Sequence, residues 1–200
     1  ETGADAIKIQ TLTADSLTID CDEPYFVIQD ECPWKGQRLY DLYSETPLPY
    51  EWHQEIFDLC AELEIDCFST PYDKSSLEFL AQFNPPAYKI ASFEIVDTPL
   101  VRAVAKKQKP IIFSTGIATK EDIDNAIKVC KEEGNEQIAI LKCTSGYPAP
   151  LEDLNLAMIP KFVEDYGIVS GLSDHTLGTL VPTVARSLGA LIIEKHITHK

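Results

Sequence analysis

The residues best suited to chemistry in this chain are two histidines. His175 stands in GLSDHTLG (171–178) and His196 in ALIIEKHIT (190–198). Each follows a short apolar run and is wrapped in polar residues. Neutral imidazoles suit Mn, Zn, Fe or Co. Two of them leave coordination positions open, as a metal that must also take a substrate oxygen requires. Either histidine alone reads more readily as a hydrogen-bonded structural residue than as a ligand; the pair, at the ends of successive strands, favours a metal. Asp174 and Glu194 flank them and can orient the rings or hold metal-bound water. His53, inside a helical stretch, and His199, past the last strand, read as structural or exposed.

The lysines come next. Lys89 in AYKIAS (87–92) and Lys8 in AIKIQ (6–10) lie among apolar residues. A buried ammonium is costly without a partner. A phosphate or carboxylate ligand would be one; a Schiff-base role and a buried structural carboxylate are the alternatives. Ser92, Ser114 and Ser173 fall at neighbouring strand ends, and with the backbone N–H groups of STG (114–116) they can ring a phosphate. Lys142, by alternation, can point toward a helix instead. The residues together describe an anion pocket beside a metal, suited to a phosphorylated or carboxylated substrate reacting at a polarised carbonyl.

These groups need elements to place them. Short apolar runs at 6–10, 66–70, 87–92, 110–115, 137–143, 167–173 and 190–196 predict strands of a buried parallel sheet. Amphipathic stretches predict helices over 49–64, 73–82, 97–107, 119–134, 153–165 and 178–188. In the first, Trp52, Ile56, Leu59, Cys60 and Leu63 form the inward stripe. Thr119 and Asp122 make a capping pair and Gly134 a C-cap. Repeated strand–helix alternation predicts right-handed βαβ units. Polar residues close almost every strand, as on the C-terminal face of a (β/α)8 TIM barrel, whereas a doubly wound sheet gathers its site at one switch point. The expected architecture is an incomplete TIM barrel, a single domain over 1–200, with its first strand before Glu1 and its last helix after Lys200. Residues 11–48 break the rhythm and predict an ordered functional loop.

Composition narrows the partners. The 200 residues carry a formal net charge of −15, which argues against nucleic acid and anionic membranes. No apolar run reaches the ~18 residues of a membrane span. Six cysteines without a CxxC pair predict reduced thiols, three or four of them buried, in a cytoplasmic protein.

In chain order, GADAIKIQ, FSTPYD, PAYKIASFEI, PIIFSTG, KCTSGYPAP, GLSDHTLG and IIEKHIT resemble the motifs of the sialic acid synthase family, which condenses phosphoenolpyruvate with an amino-sugar aldehyde. GNEQIAILKCTSGYPAP and LYDLYSETPLPYEWH are more similar to the branch that makes pseudaminic acid than to the N-acetylneuraminate branch; a legionaminic acid synthase is the further alternative. The resemblance implies a cytoplasmic homodimer whose barrel is followed by a small antifreeze-like domain that reaches the partner's active site. It implies His175 and His196 as ligands of a divalent metal, Mn2+ foremost, with Mg2+ or Co2+ also suitable. Lys89, Ser92, Ser114 and Ser173 match the phosphate pocket. Lys8, Gln10, Thr70, Tyr72, Glu94, Ser145 and Tyr147 match positions lining the phosphoenolpyruvate and N-acetylated amino-sugar sites. Glu94, Lys89 and Asp174 are the candidates for catalytic roles. The implied reaction joins C3 of phosphoenolpyruvate to the aldehyde, adds water at C2 and releases phosphate by C–O cleavage.

The chain departs from the family pattern in three places. The first strand with its glutamate and the antifreeze-like domain with its arginine are expected outside these 200 residues. After EKHIT the family continues Leu-Asp, whereas here His199 and Lys200 follow. The chain alone is therefore expected to lack full activity and to expose sheet edges prone to aggregation. Four rivals make different demands. An octulosonate phosphate synthase needs a second basic phosphate pocket, which the sequence does not offer. A Schiff-base aldolase would be trapped by borohydride on Lys89 or Lys8 and ignore chelators. A metal-dependent hydrolase wants more ligands. A non-catalytic sugar- or phosphoenolpyruvate-binding barrel would bind without turnover.

Overall fold

The computed structural model of the chain describes residues 3–197. His199 lies outside them. The chain divides into two compact units, Glu1–Pro86 and Ala87–Lys200. Strand and helix alternate through both, and each strand pair within a unit is parallel and consecutive in the chain. That is the (β/α)8-barrel class, with seven strands among the described residues.

The first unit pairs β1 (Ala6–Thr11) with β2 (Asp66–Pro71), in the register Ala6↔Asp66 to Thr11↔Pro71. Between them run α1 (Ala14–Leu17), α2 (Leu39–Glu45) and α3 (Trp52–Glu62); α4 (Lys74–Ala81) follows β2. The irregular stretch between β1 and α3 is ordered, as its aromatics imply. Arg38 organises it: its guanidinium grips Asp41 with two bonds of 2.8 and 2.6 Å and reaches Asp20 at 2.8 Å and Asp22 at 2.6 Å. A single antiparallel bridge joins Val27 to Arg38.

The orientation of α3 differs from the sequence expectation. Trp52, Leu59 and Leu63 are 54%, 51% and 66% exposed, and the buried residues are His53 and Cys60. The imidazole wins this face because both of its nitrogens are satisfied there. His53 Nδ1 lies 3.2 Å from the Pro49 carbonyl and Nε2 2.7 Å from the Thr11 hydroxyl. Thr11 in turn is 2.7 Å from the Ser69 hydroxyl, which lies 3.1 Å from the Ile9 carbonyl. Tyr50, Phe79 and Phe83 surround the ring. A fully partnered polar group can occupy a core that an unpartnered one cannot.

The second unit carries β3 (Tyr88–Ile90), α5 (Thr98–Ala105), β4 (Ile111–Ser114), α6 (Lys120–Glu132), β5 (Ile138–Cys143), α7 (Met158–Tyr166), β6 (Val169–Asp174), α8 (Leu180–Ser187) and β7 (Ile192–Lys195). Ile90, Ile111, Phe113, Ile140 and Leu141 of its strands, and Val101 and Val104 of α5, are all at most 1% exposed. A second cluster joins Leu154, Ile159, Leu172, Val181 and Ala185. The cap of α6 forms as its sequence implies: Asp122 accepts from the Thr119 N–H at 2.8 Å, Thr119 accepts from the Asp122 N–H at 3.2 Å, and Gly134 takes a left-handed φ of 74°. Four of the six free cysteines are buried. No helix among the described residues is long and apolar enough to cross a membrane.

Candidate active site

In the second unit the sequence-predicted polar residues converge at the C-terminal strand ends. Lys89 is 1% exposed. Its ammonium donates to the Ser114 hydroxyl at 2.6 Å and the Ile90 carbonyl at 3.0 Å, and lies 3.9 Å from the Glu194 carboxylate. Glu194 also accepts from Ser173 at 3.0 Å. Ser92 accepts from the Gly116 N–H at 3.0 Å. Gly116 sits so close to the next strand end that a Cβ there would lie 2.1 Å from the Ser145 hydroxyl and 2.8 Å from that of Ser92. One fully buried cation, four serine hydroxyls and a glycine without side-chain bulk thus gather in this unit. Such a group offers donors of fixed direction to an anion.

The imidazoles follow directly on β6 and β7, one residue past the end of each strand. His175 and His196 have ring centroids 5.4 Å apart, and Tyr147 stacks on His175 at 4.1 Å. A carbonyl can only accept, so the 2.8 Å contact from His175 Nδ1 to the Thr144 carbonyl puts the proton on Nδ1. On a neutral ring Nε2 is then the acceptor, taking the Tyr147 hydroxyl at 3.2 Å; a cation would bind there in place of that hydrogen bond. A carbonyl fixing the remote ring nitrogen is the usual support of a metal-binding histidine. The donor set therefore fits a divalent ion held by two imidazoles. Among the described residues no group of three or more His, Cys, Asp or Glu side chains forms a cage.

The carboxylates divide. Asp174, 2% exposed, accepts from the Thr176 N–H at 2.9 Å, the Thr176 hydroxyl at 2.7 Å and the Lys195 ammonium at 2.5 Å. Burial acts to raise its pKa, but these bonds outweigh burial and hold it below the ordinary range. Glu94 is the reverse case: burial lifts its carboxyl above the usual range, and its Oε2 has no hydrogen-bond partner. Folded Glu94 thus holds its proton more tightly than the unfolded chain does, so stability falls as pH rises through the raised pKa. Glu94→Gln is expected to melt above the parent near pH 8 and to match it near about pH 4, where both side chains are neutral. Equal melting temperatures at pH 8 would contradict this. Lys142 turns to the strand end, where it donates to the Cys143 carbonyl at 2.5 Å, and burial lowers its pKa.

In the first unit, the register sets Gln10 opposite Thr70, and Gln10 donates to the Tyr72 hydroxyl. Thr70 is fully buried and its hydroxyl has no hydrogen-bond partner. Lys8 pairs with Phe68 in the same ladder. Sequence reasoning missed Lys195 and did not assign Glu194 to Lys89. Both depend on the register between β6 and β7, which sets Ser173 opposite Glu194 and Asp174 opposite Lys195 and cannot be read from either strand alone.

The NeuB family profile matches residues 1–200. The pseudaminic acid synthase of Campylobacter jejuni is 50% identical over 194 residues, 97% of this chain and 56% of that protein. That of Helicobacter pylori is 46% identical over 196 residues, 98% of this chain and 57% of that protein. The chain thus spans little more than half the length of these curated relatives. The crystal structure of the N-acetylneuraminic acid synthetase of Leptospira borgpetersenii, in complex with citrate, superposes with a TM-score of 0.85 at 28% identity, covering 98% of this chain and 63% of that one.

Proposed function

Because the chain belongs to the NeuB family, we propose that it forms the barrel portion of a nonulosonic acid synthase that condenses phosphoenolpyruvate with an N-acetylated amino-sugar aldehyde. The observation that carries this reading is the buried Lys89 ammonium bonded to Ser114, in one unit with the paired imidazoles of His175 and His196. Lys89, Ser92, Ser114 and Ser173 hold the phosphate, with the Gly116 N–H held in place by Ser92. Glu94, Ser145 and Tyr147 are the further substrate contacts on these strand ends; in the other unit, Lys8, Gln10, Thr70 and Tyr72 are the positions that family membership assigns to substrate. His175 and His196 would hold a divalent ion, Mn2+ foremost, with Mg2+ or Co2+ as alternatives. When bound, that ion supplies Lewis acidity toward a carbonyl oxygen.

The chain's own part is positioning and electrostatics. Lys89 and the serines fix phosphoenolpyruvate so that its C3 faces the aldehyde carbon. A new C–C bond forms, water adds at C2, and the C–O bond to phosphate breaks with both electrons leaving on the phosphate. Lys89 stabilises the charge that collects there. Glu94, whose carboxyl burial shifts above its ordinary range, is the candidate general acid for the new hydroxyl. The identity of about half to two pseudaminic acid synthases favours pseudaminic acid as the product. In the complete protein the reading includes an antifreeze-like domain and a homodimer in the cytoplasm, for which the six free cysteines are suited.

The test follows phosphate release by the complete protein with Mn2+ and phosphoenolpyruvate. One arm contains 2,4-diacetamido-2,4,6-trideoxyaltrose, the other N-acetylmannosamine. Release is expected only with the trideoxy sugar and is expected to be abolished by EDTA and by His196→Ala. Release with N-acetylmannosamine would move the protein to the neuraminate branch. Binding of phosphoenolpyruvate without release in either arm would sink both substrate assignments.

A further inference from the structure

Strands β6 and β7 end together. Their last ladder pair is Asp174↔Lys195, so His175 and His196 leave the sheet at the same level, each one residue past the final pairing. Beyond that point the ladder no longer fixes their separation. Two imidazoles can share an ion only if something else does.

Lys195 occupies that role geometrically. Its ammonium donates to the Asp174 carboxylate at 2.5 Å and to the Thr176 carbonyl at 2.6 Å. Those acceptors belong to the residues immediately before and after His175. Asp174 closes the same turn by accepting from the Thr176 N–H and hydroxyl. The β7 residue next to His196 therefore clasps the turn of β6 that carries His175 from both sides. The carboxylate side chain is 0% exposed and that of Lys195 34% exposed, so the pair is held in part away from water.

We propose that Lys195 is a positioning residue for the histidine pair: its bridge across Asp174 and Thr176 sets the spacing of His175 and His196 for a shared divalent ion. This rests on the reading that the two histidines hold such an ion. Electrostatics alone makes the opposite prediction. Lys195 is a cation beside a cation site, and removing it would tighten metal binding if charge were its only influence. A brace lost from behind a ligand instead weakens binding about tenfold or more.

The sign of the change decides. Mn2+ affinity is measured on the complete protein by the electron paramagnetic resonance signal of free Mn2+, with no substrate present. His196→Ala should abolish binding; if the parent binds no Mn2+, or His196→Ala binds as well as the parent, the metal reading falls and the positioning role with it. With that control passed, Lys195→Met is expected to weaken Mn2+ binding about tenfold or more, and Lys195→Arg to recover most of it. Should Lys195→Met fold poorly because Asp174 is left without its cation, the double variant Asp174→Asn/Lys195→Met removes the lone charge and still lacks the brace. It too is expected to bind weakly. Parent-like or tighter binding by a folded Lys195→Met or by the double variant overturns the proposal while leaving the metal site intact.

Discussion

Gly171→Ala is expected to lower stability by about 3 kcal/mol, a fall in Tm of roughly 10 °C for a chain of this size. Gly171 lies in the middle of β6, opposite Ile192 of β7. A Cβ there would stand 2.2 Å from the Ile192 carbonyl oxygen, 3.0 Å from its carbon and 2.8 Å from Leu141 Cδ2. The obstacle is backbone, so no side-chain rotation relieves it. Either β7 withdraws from β6 or β6 buckles, and both separate the strand ends that carry His175 and His196. Urea unfolding and thermal melts of parent and variant measure the loss. A Tm within two or three degrees of the parent would mean that the strands tolerate a Cβ at this crossing.

Gly116→Ala presents the contrasting case. Its Cβ would meet the Ser145 hydroxyl at 2.1 Å, the Ser92 hydroxyl at 2.8 Å and Cys143 Sγ at 3.2 Å. These are the ends of side chains that can rotate away, so the fold is expected to survive with little change in Tm. The anion cluster is not. Displacing two hydroxyls that bond a charged ligand forfeits about 3 kcal/mol, or roughly a hundredfold in affinity. Calorimetric titration of phosphoenolpyruvate into both proteins reads this directly. Undiminished affinity at Gly116→Ala would remove Ser92 from the phosphate pocket and Ser145 from the phosphoenolpyruvate contacts. Together the two glycine variants separate what the fold needs from what the pocket needs.

The strand ends were legible because the physics that marks them is local. Lys89 between Tyr88 and Ile90, or His175 after an apolar run, is a polar group in a place that burial disfavours. Such a group advertises a partner whatever the tertiary structure. The strands themselves were equally plain, since short apolar runs closed by polar residues leave few alternatives. The inward face of α3 was not legible. By apolar count Trp52, Leu59 and Leu63 outvote one histidine, and only the hydroxyls of Thr11 and Ser69, on two separate strands, reverse the outcome. Lys195 was hidden for the same reason. In EKHIT it reads as a solvated charge, and its function depends on the register between β6 and β7. Arg38 likewise gains its meaning from three aspartates scattered through a stretch without periodicity.

The buried line from the Pro49 carbonyl through His53, Thr11 and Ser69 to the Ile9 carbonyl invites a count of hydrogens. It contains four contacts, and both of its ends are oxygens that can only accept. A neutral imidazole and two hydroxyls bring three protons between them. Burial lowers the pKa of His53 and so favours that neutral form. His53 spends its proton on Pro49 and Thr11 spends its own on the imidazole. Ser69 is left with one hydrogen and two waiting oxygens, Thr11 Oγ1 and Ile9 O. Its hydroxyl is a rotor with two stops, one residue away from Thr70 in the chain, and the whole line is a wire short by a single proton.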